Sequence, residues 1–155
     1  MSQFLGTHEN RLDAKGRVSV PAPFRAALRA GLDADGPVTL ILRPSHKHAC
    51  IEGWPAAKFE ALAAGLGKLA QFSDEHEDMA AALYADAYPV EADKEGRIVL
   101  DDRLVKYGGL SGQVAFMGLG DIFQIWDPTA AQRRRDDARS GAKLRALSLP
   151  GSLVA

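Results

Sequence analysis

Cysteine is almost missing: Cys50 is the single one among 155 residues. No internal disulfide framework can form, and a reducing cytoplasm is the expected compartment. No apolar run approaches the roughly 20 residues that a membrane-spanning helix needs. The opening residues, MSQFLGTHENRLD, lack the basic flank and long apolar stretch of a signal peptide. A large net charge of either sign is absent too: the formal value is −1. That excludes a global electrostatic pull toward nucleic acid, so any such activity needs a local basic patch. What remains is 46% hydrophobic and 25% charged, as in ordinary soluble folded proteins.

The charge is unevenly placed. Residues 72–95 are rich in acids, whereas 132–145 (QRRRDDARSGAKLR) are basic. The chain also repeats itself. At an offset of 80 residues Asp13 matches Asp93, Gly16 matches Gly96 and Arg17 matches Arg97. Val18-Ser19-Val20 then matches Ile98-Val99-Leu100, and Phe24 matches Leu104. Each copy enters a short helical stretch ending at glycine, Gly31 in the first and Gly108-Gly109 in the second. With looser spacing, VTLILRP (38–44) and CIEGWP (50–55) match VAFMGLG (114–120) and IFQIWDP (122–128).

Both halves thus predict strand, glycine-arginine loop, strand, short helix, strand, turn, strand. Between them, 56–73 has helical periodicity, with Phe59, Leu62, Leu66, Leu69 and Phe72 on one face, and 74–87 extends it or forms a second helix. Either half alone has a marginal core. The expectation is one joint β-barrel with pseudo-twofold symmetry.

The repeated unit is D-x-K/E-G-R. Gly16 can take positive φ and let the chain reverse. Asp13 can accept backbone N–H bonds and fix the turn. Lys15 and Arg17 then project from a stiffened tip. Alternation turns Val18 and Val20 away from Ser19. Pro21 and Pro23 suit the first turn of the next helix, and Asp101 or Asp102 offers an N-cap in the second copy. The plain alternative is a hairpin turn with solvated charges, Arg17 being paired with Asp13. A turn needs glycine, but it does not need arginine directly after it in both copies. Arginine presents a planar fork of donors suited to phosphate and guanine edges.

The stretch FLGTHENRLDAKGRVSVPAPFR (4–25) closely resembles the opening of the MraZ family, bacterial transcriptional regulators built from two AbrB-like (SpoVT-AbrB) modules. The D-x-K-G-R-h-x-h-P-x-x-h-R signature is complete in Asp13, Lys15, Gly16, Arg17, Val18, Val20, Pro21, Phe24 and Arg25. DKEGRIVLDDRLVKYGGL (93–110) and IFQIWDP (122–128) also resemble their counterparts. The resemblance implies a β-rich α+β fold: two swapped-hairpin modules, 4–55 and 88–128, forming one pseudo-twofold barrel. A helical linker at 56–87 and a C-terminal helix and tail at 129–155 complete it.

It further implies double-stranded DNA as partner, contacted by Lys15, Arg17, Arg97, Lys94, Arg11 and Arg25, with Asp13, Gly16, Asp93 and Gly96 shaping the loops. Protomers would form a closed ring of roughly eight to twelve subunits, binding direct repeats ahead of the division and cell-wall gene cluster that holds the regulator's own gene. There the ring usually acts as a repressor, in the cytoplasm at the nucleoid. No cofactor, metal, small-molecule substrate or membrane partner is implied, and no enzyme activity. The second copy departs from the family pattern at Glu95 and Asp101. Two extra acids weaken its grip on phosphate, so Lys15 and Arg17 rank ahead of Lys94 and Arg97.

A ring suits weak individual contacts. Phosphate binding falls steeply with salt, and several linked copies raise the effective concentration at successive DNA boxes. Two other functions fit the same loops: an AbrB-type antitoxin that also neutralises a toxin, and a protein-interaction ring without DNA activity. Elsewhere, His46, His48 and Cys50 read as turn residues before a strand rather than as a zinc site. Asp74, Glu75, Glu77 and Asp78 read as a solvated helix face. The run Arg133, Arg134, Arg135, Arg139, Lys143 and Arg145 reads as a helix with internal pairing, an additional DNA arm being the alternative.

Overall fold

The computed structural model describes residues 3–30, 32, 35–147 and 149. Strands β1 (Thr7–Arg11), β3 (Thr39–Pro44), β4 (Ile51–Pro55), β5 (Tyr88–Glu91), β7 (Gln113–Gly118) and β8 (Phe123–Trp126) form a six-stranded sheet in the order β1-β7-β8-β4-β3-β5. Every pairing in it is antiparallel. Two three-residue strands, β2 (Arg17–Ser19) and β6 (Arg97–Val99), pair with each other as a separate ribbon.

The duplication is legible in this order. Exchanging each strand for its repeat counterpart and reading backwards returns the same sequence of strands. The pairings cross between the halves: β1 joins β7, β5 joins β3, β4 joins β8 and β2 joins β6. The expected closed barrel is not formed. β1 and β5 stand at opposite edges and do not pair, and the two strands that follow the tips, β2 and β6, are committed to each other.

One apolar core serves both halves, as their small size requires. It takes Val18, Val20, Phe24, Leu40, Leu42 and Ile51 from the first, and Ile98, Leu100, Leu104, Phe116, Phe123 and Ile125 from the second. Phe4, Phe24 and Phe123 pack with centroids 5.1–5.4 Å apart, within the range where edge and tilted ring contacts add to burial. Helices α1 (Ala22–Arg29) and α5 (Asp102–Tyr107) cover the ends of this core through Phe24, Leu28 and Leu104. Their starts differ as the sequence suggests. Pro21 precedes α1 with Pro23 in its first turn, whereas the Asp101 carboxylate caps α5 by accepting from Leu104 N at 3.0 Å. Gly31, the expected end of the first helix, lies outside the described residues.

The linker differs from expectation. Instead of one helix over 56–73 there are two five-residue helices, α2 (Ala56–Glu60) and α3 (Leu62–Leu66), followed by α4 (Asp74–Tyr84). Gly65 and Gly67 weaken the helical run, and Ser73 caps α4 from His76 N. Phe72 therefore leaves the apolar face; it is 91% exposed. Helix α6 (Pro128–Leu144) covers the outer sheet face over a small cluster of Cys50, Ala115, Met117, Trp126 and Ala131.

Candidate nucleic-acid interface

The two loop tips are built alike, bond for bond. In the first, Asp13 N donates to Arg17 O at 3.0 Å and Gly16 N to Asp13 O at 3.1 Å. The Asp13 Oδ1 accepts from Lys15 N (2.9 Å) and Arg17 N (2.8 Å), and Oδ2 accepts from Arg17 Nε at 2.7 Å. In the second, Asp93 Oδ1 accepts from Glu95 N and Arg97 N, and Oδ2 from Arg97 Nε, each at 2.9 Å. One carboxylate thus closes the turn and orients the arginine that follows it. Both carboxyls are held below their ordinary value of 3.8, first by the arginine backbone N–H, against a smaller opposing effect of desolvation.

Gly16 has φ +80, and a Cβ there would lie 2.4 Å from Leu100 O. That close approach lets Leu100 N donate to Gly16 O at 2.8 Å, and Val20 N donates to Gly96 O at 2.9 Å on the other side. The tips are thereby tied to both ends of the β2–β6 ribbon. In the ribbon Arg17 faces Val99, Val18 faces Ile98 and Ser19 faces Arg97. Val18 and Ile98 are buried, so alternation turns Arg17, Ser19, Arg97 and Val99 to one outward face. The plain alternative, arginine paired to aspartate, holds for Nε alone. Among the described residues, the two terminal nitrogens of Arg17 have no partner.

The halves differ at Arg97. Its Nη2 also meets Glu95 Oε2 at 2.8 Å, and its charged form is stabilised by the Asp93 hydrogen bond first, then by the charges of Asp93 and Glu95. Arg17 has Ala14 and Lys15 in its loop and no such second carboxylate. Arg17 and Arg97 keep 40% and 37% of their side-chain surface exposed; neither is buried against its acid.

A family model described as "MraZ protein, putative antitoxin-like" matches residues 3–82 and 83–134. The chain is 62% identical over 151 residues to the transcriptional regulator MraZ of Gluconacetobacter diazotrophicus, covering 97% of this chain and 95% of that protein. It is 57% identical to the protein of that name from Gluconobacter oxydans (96% and 90% covered). The Pelagibacter ubique protein of the same name is 36% identical (94% and 92% covered). The chain belongs to the MraZ family.

Within this MraZ-family chain the other expected site residues take distinct places. Lys15 and Lys94 are exposed at the tips, and Arg11 is exposed at the end of β1, beside the first tip. Arg25 is not at a tip. Its Nη1 donates to Val20 O at 2.8 Å, and its stem lies against Gly96, where a Cβ would come within 2.3 Å of Arg25 Cδ. It braces the second loop from beneath. His46 contacts Arg43, His48 lies against Trp126 and Cys50 is fully buried. Arg135 and Arg139 pair along α6 with Gln132 and Asp136. No helix among the described residues is long and apolar enough to cross a membrane.

Sequence reasoning missed Arg43. Only 1% exposed, it bonds Glu52 Oε1 at 2.5 Å and Ala82 O at 2.8 Å, fastening α4 to the sheet. No local signal distinguishes it from a surface arginine on a strand. It also passed over Val99 as a member of the outward face, although alternation with Ile98 carried that signal.

Proposed function

We propose that this MraZ-family chain is a sequence-specific DNA-binding transcriptional regulator that lays the β2–β6 ribbon and its two tips on duplex DNA. The observation that carries this reading is the outward ribbon face, where two arginines are each oriented through Nε by an aspartate and, among the described residues, both terminal nitrogens of Arg17 stay open. A two-stranded ribbon fits the major groove, and an arginine fork matches guanine O6 and N7. Lys15, Lys94 and Arg11 flank the ribbon as phosphate contacts; Arg25 supports the second tip. We read 4–55 and 88–128 as two AbrB-like modules that exchange hairpins, an arrangement favoured by the strand pairings between halves.

The wider reading follows the family resemblance. The chain forms a closed ring of roughly eight to twelve subunits and binds direct repeats upstream of a division and cell-wall gene cluster, its own promoter included. There it acts as a repressor at the nucleoid. Several ribbons per ring offset the weak pull of a protomer with net charge −1. Arg17→Ala is expected to weaken binding to the gene's own upstream DNA roughly ten-fold or more, the worth of one bidentate contact. Arg97→Ala is expected to weaken it less, with circular dichroism and light scattering unchanged in both. Equal binding by wild type and both variants in a gel shift would refute the reading.

The antitoxin alternative uses the same loops, and Leu144, Leu147 and Leu149, exposed at and beyond the end of α6, would supply its toxin-binding surface. It requires that a chain truncated after Lys143 keeps DNA binding yet no longer protects cells from a toxin encoded beside it.

A further inference from the structure

We infer that Val99 is a base-reading residue that contacts the C5-methyl of a thymine adjoining the base pair read by Arg17. This rests on the DNA-facing ribbon proposed above and assigns part of its specificity. A single exposed valine is ordinary on a protein surface; its placement is what matters here. Val99 is 54% exposed and stands directly opposite Arg17 in the β2–β6 register. Facing residues of an antiparallel pair hold their Cβ atoms about 5 Å apart. Whatever the Arg17 fork grips therefore lies beside the valine methyls.

Of the four side chains on the outward face, Val99 alone has no polar atom. In the major groove the thymine methyl is the one apolar group the four base pairs present. Arginine beside valine therefore fits a guanine next to a thymine. The repeat sharpens the assignment. The counterpart of Val99 in the first half is Ser19, which faces Arg97. One end of the ribbon offers an open arginine with an apolar neighbour, and the other offers a glutamate-bound arginine with a hydroxyl. The ribbon's two ends are thus unequal readers, and the apolar reading belongs to the Arg17 end.

Duplexes of the DNA directly upstream of the gene, synthesised with thymine or with uracil throughout, differ only in the C5-methyl groups. Binding of the full chain to each is measured by fluorescence anisotropy. Wild type should prefer the thymine duplex about four-fold for each engaged ribbon, the worth of one buried methyl group. Val99→Ser should bind both duplexes equally, while Val99→Thr, which keeps a methyl, retains a preference. Both variants should elute from gel filtration as wild type does. Equal binding of the two duplexes by wild type, or an undiminished preference in Val99→Ser, would overturn the inference and leave DNA binding standing. A changed assembly size in Val99→Ser would assign the valine to a subunit contact and overturn it as well. Retention of neither duplex by wild type would fail the DNA reading itself, and this inference with it.

Discussion

Replacing Gly16 by alanine tests whether the tip is held by the ribbon or merely by its own turn. Gly16 sits at φ +80, where a Cβ costs about 1–2 kcal/mol. The new Cβ would lie 2.4 Å from Leu100 O, a backbone atom of a buried residue that cannot swing aside. Relief requires opening the bond from Leu100 N to Gly16 O, now 2.8 Å long, whose loss costs about 1 kcal/mol. The loss of chain entropy in the unfolded state returns about 0.4–1 kcal/mol. The expected sum is about 2 kcal/mol, or roughly 4–8 °C in Tm for a chain of this length. Gly109→Ala is the control. Gly109 also has positive φ, +60, but a Cβ there meets nothing within 4 Å, so about 1 kcal/mol or less is expected. Thermal unfolding followed by circular dichroism at one protein concentration compares the two. Gly16→Ala should also lose upstream-DNA binding, because Arg17 is placed by that turn. Equal destabilisation by the two substitutions would refute the claim that ribbon contact fixes the tip.

Glu95→Gln should release Arg97 Nη2, remove a charge that repels phosphate, and tighten DNA binding several-fold; unchanged or weaker binding in a titration at fixed salt would contradict the inhibitory role given to Glu95. Asp13 and Asp93 have folded-state pKa values depressed below 3.8, so the stability they contribute is present above the unfolded value and is lost as pH falls through the folded ones. Urea midpoints measured between about pH 5 and pH 2 should therefore fall less for the double variant Asp13→Asn, Asp93→Asn than for wild type; parallel curves would count against the paired turns. Burial pushes the Cys50 thiol up to about 12, so a disulfide reagent at neutral pH should label it at the rate of unfolding; rapid labelling of native protein would contradict its place under α6.

The tips were legible because the hydrogen bonds that close each turn are local. An aspartate four residues before an arginine, with glycine between, carries its own instructions, and two copies at a fixed offset announce a shared architecture. Alternation over Val18–Val20 and a cap at Asp101 or Asp102 were equally readable, since periodicity and capping act within one turn or strand; the structure places the cap at Asp101. The open sheet, the burial of Arg43 and the bracing of Gly96 by Arg25 were not. Each depends on segments distant in sequence meeting in a particular register, as Arg43 meets Ala82, Arg25 meets Gly96 and Thr7 meets Met117, and no local pattern encodes that. The same holds for the pairing of Val99 with Arg17. The sequence by itself determined that two arginine-bearing turns exist; the packing of one half against the other decided that they share a face and that their ends differ. The physical reason is range: turn hydrogen bonds are satisfied within five residues, whereas strand partners are chosen by the whole buried core.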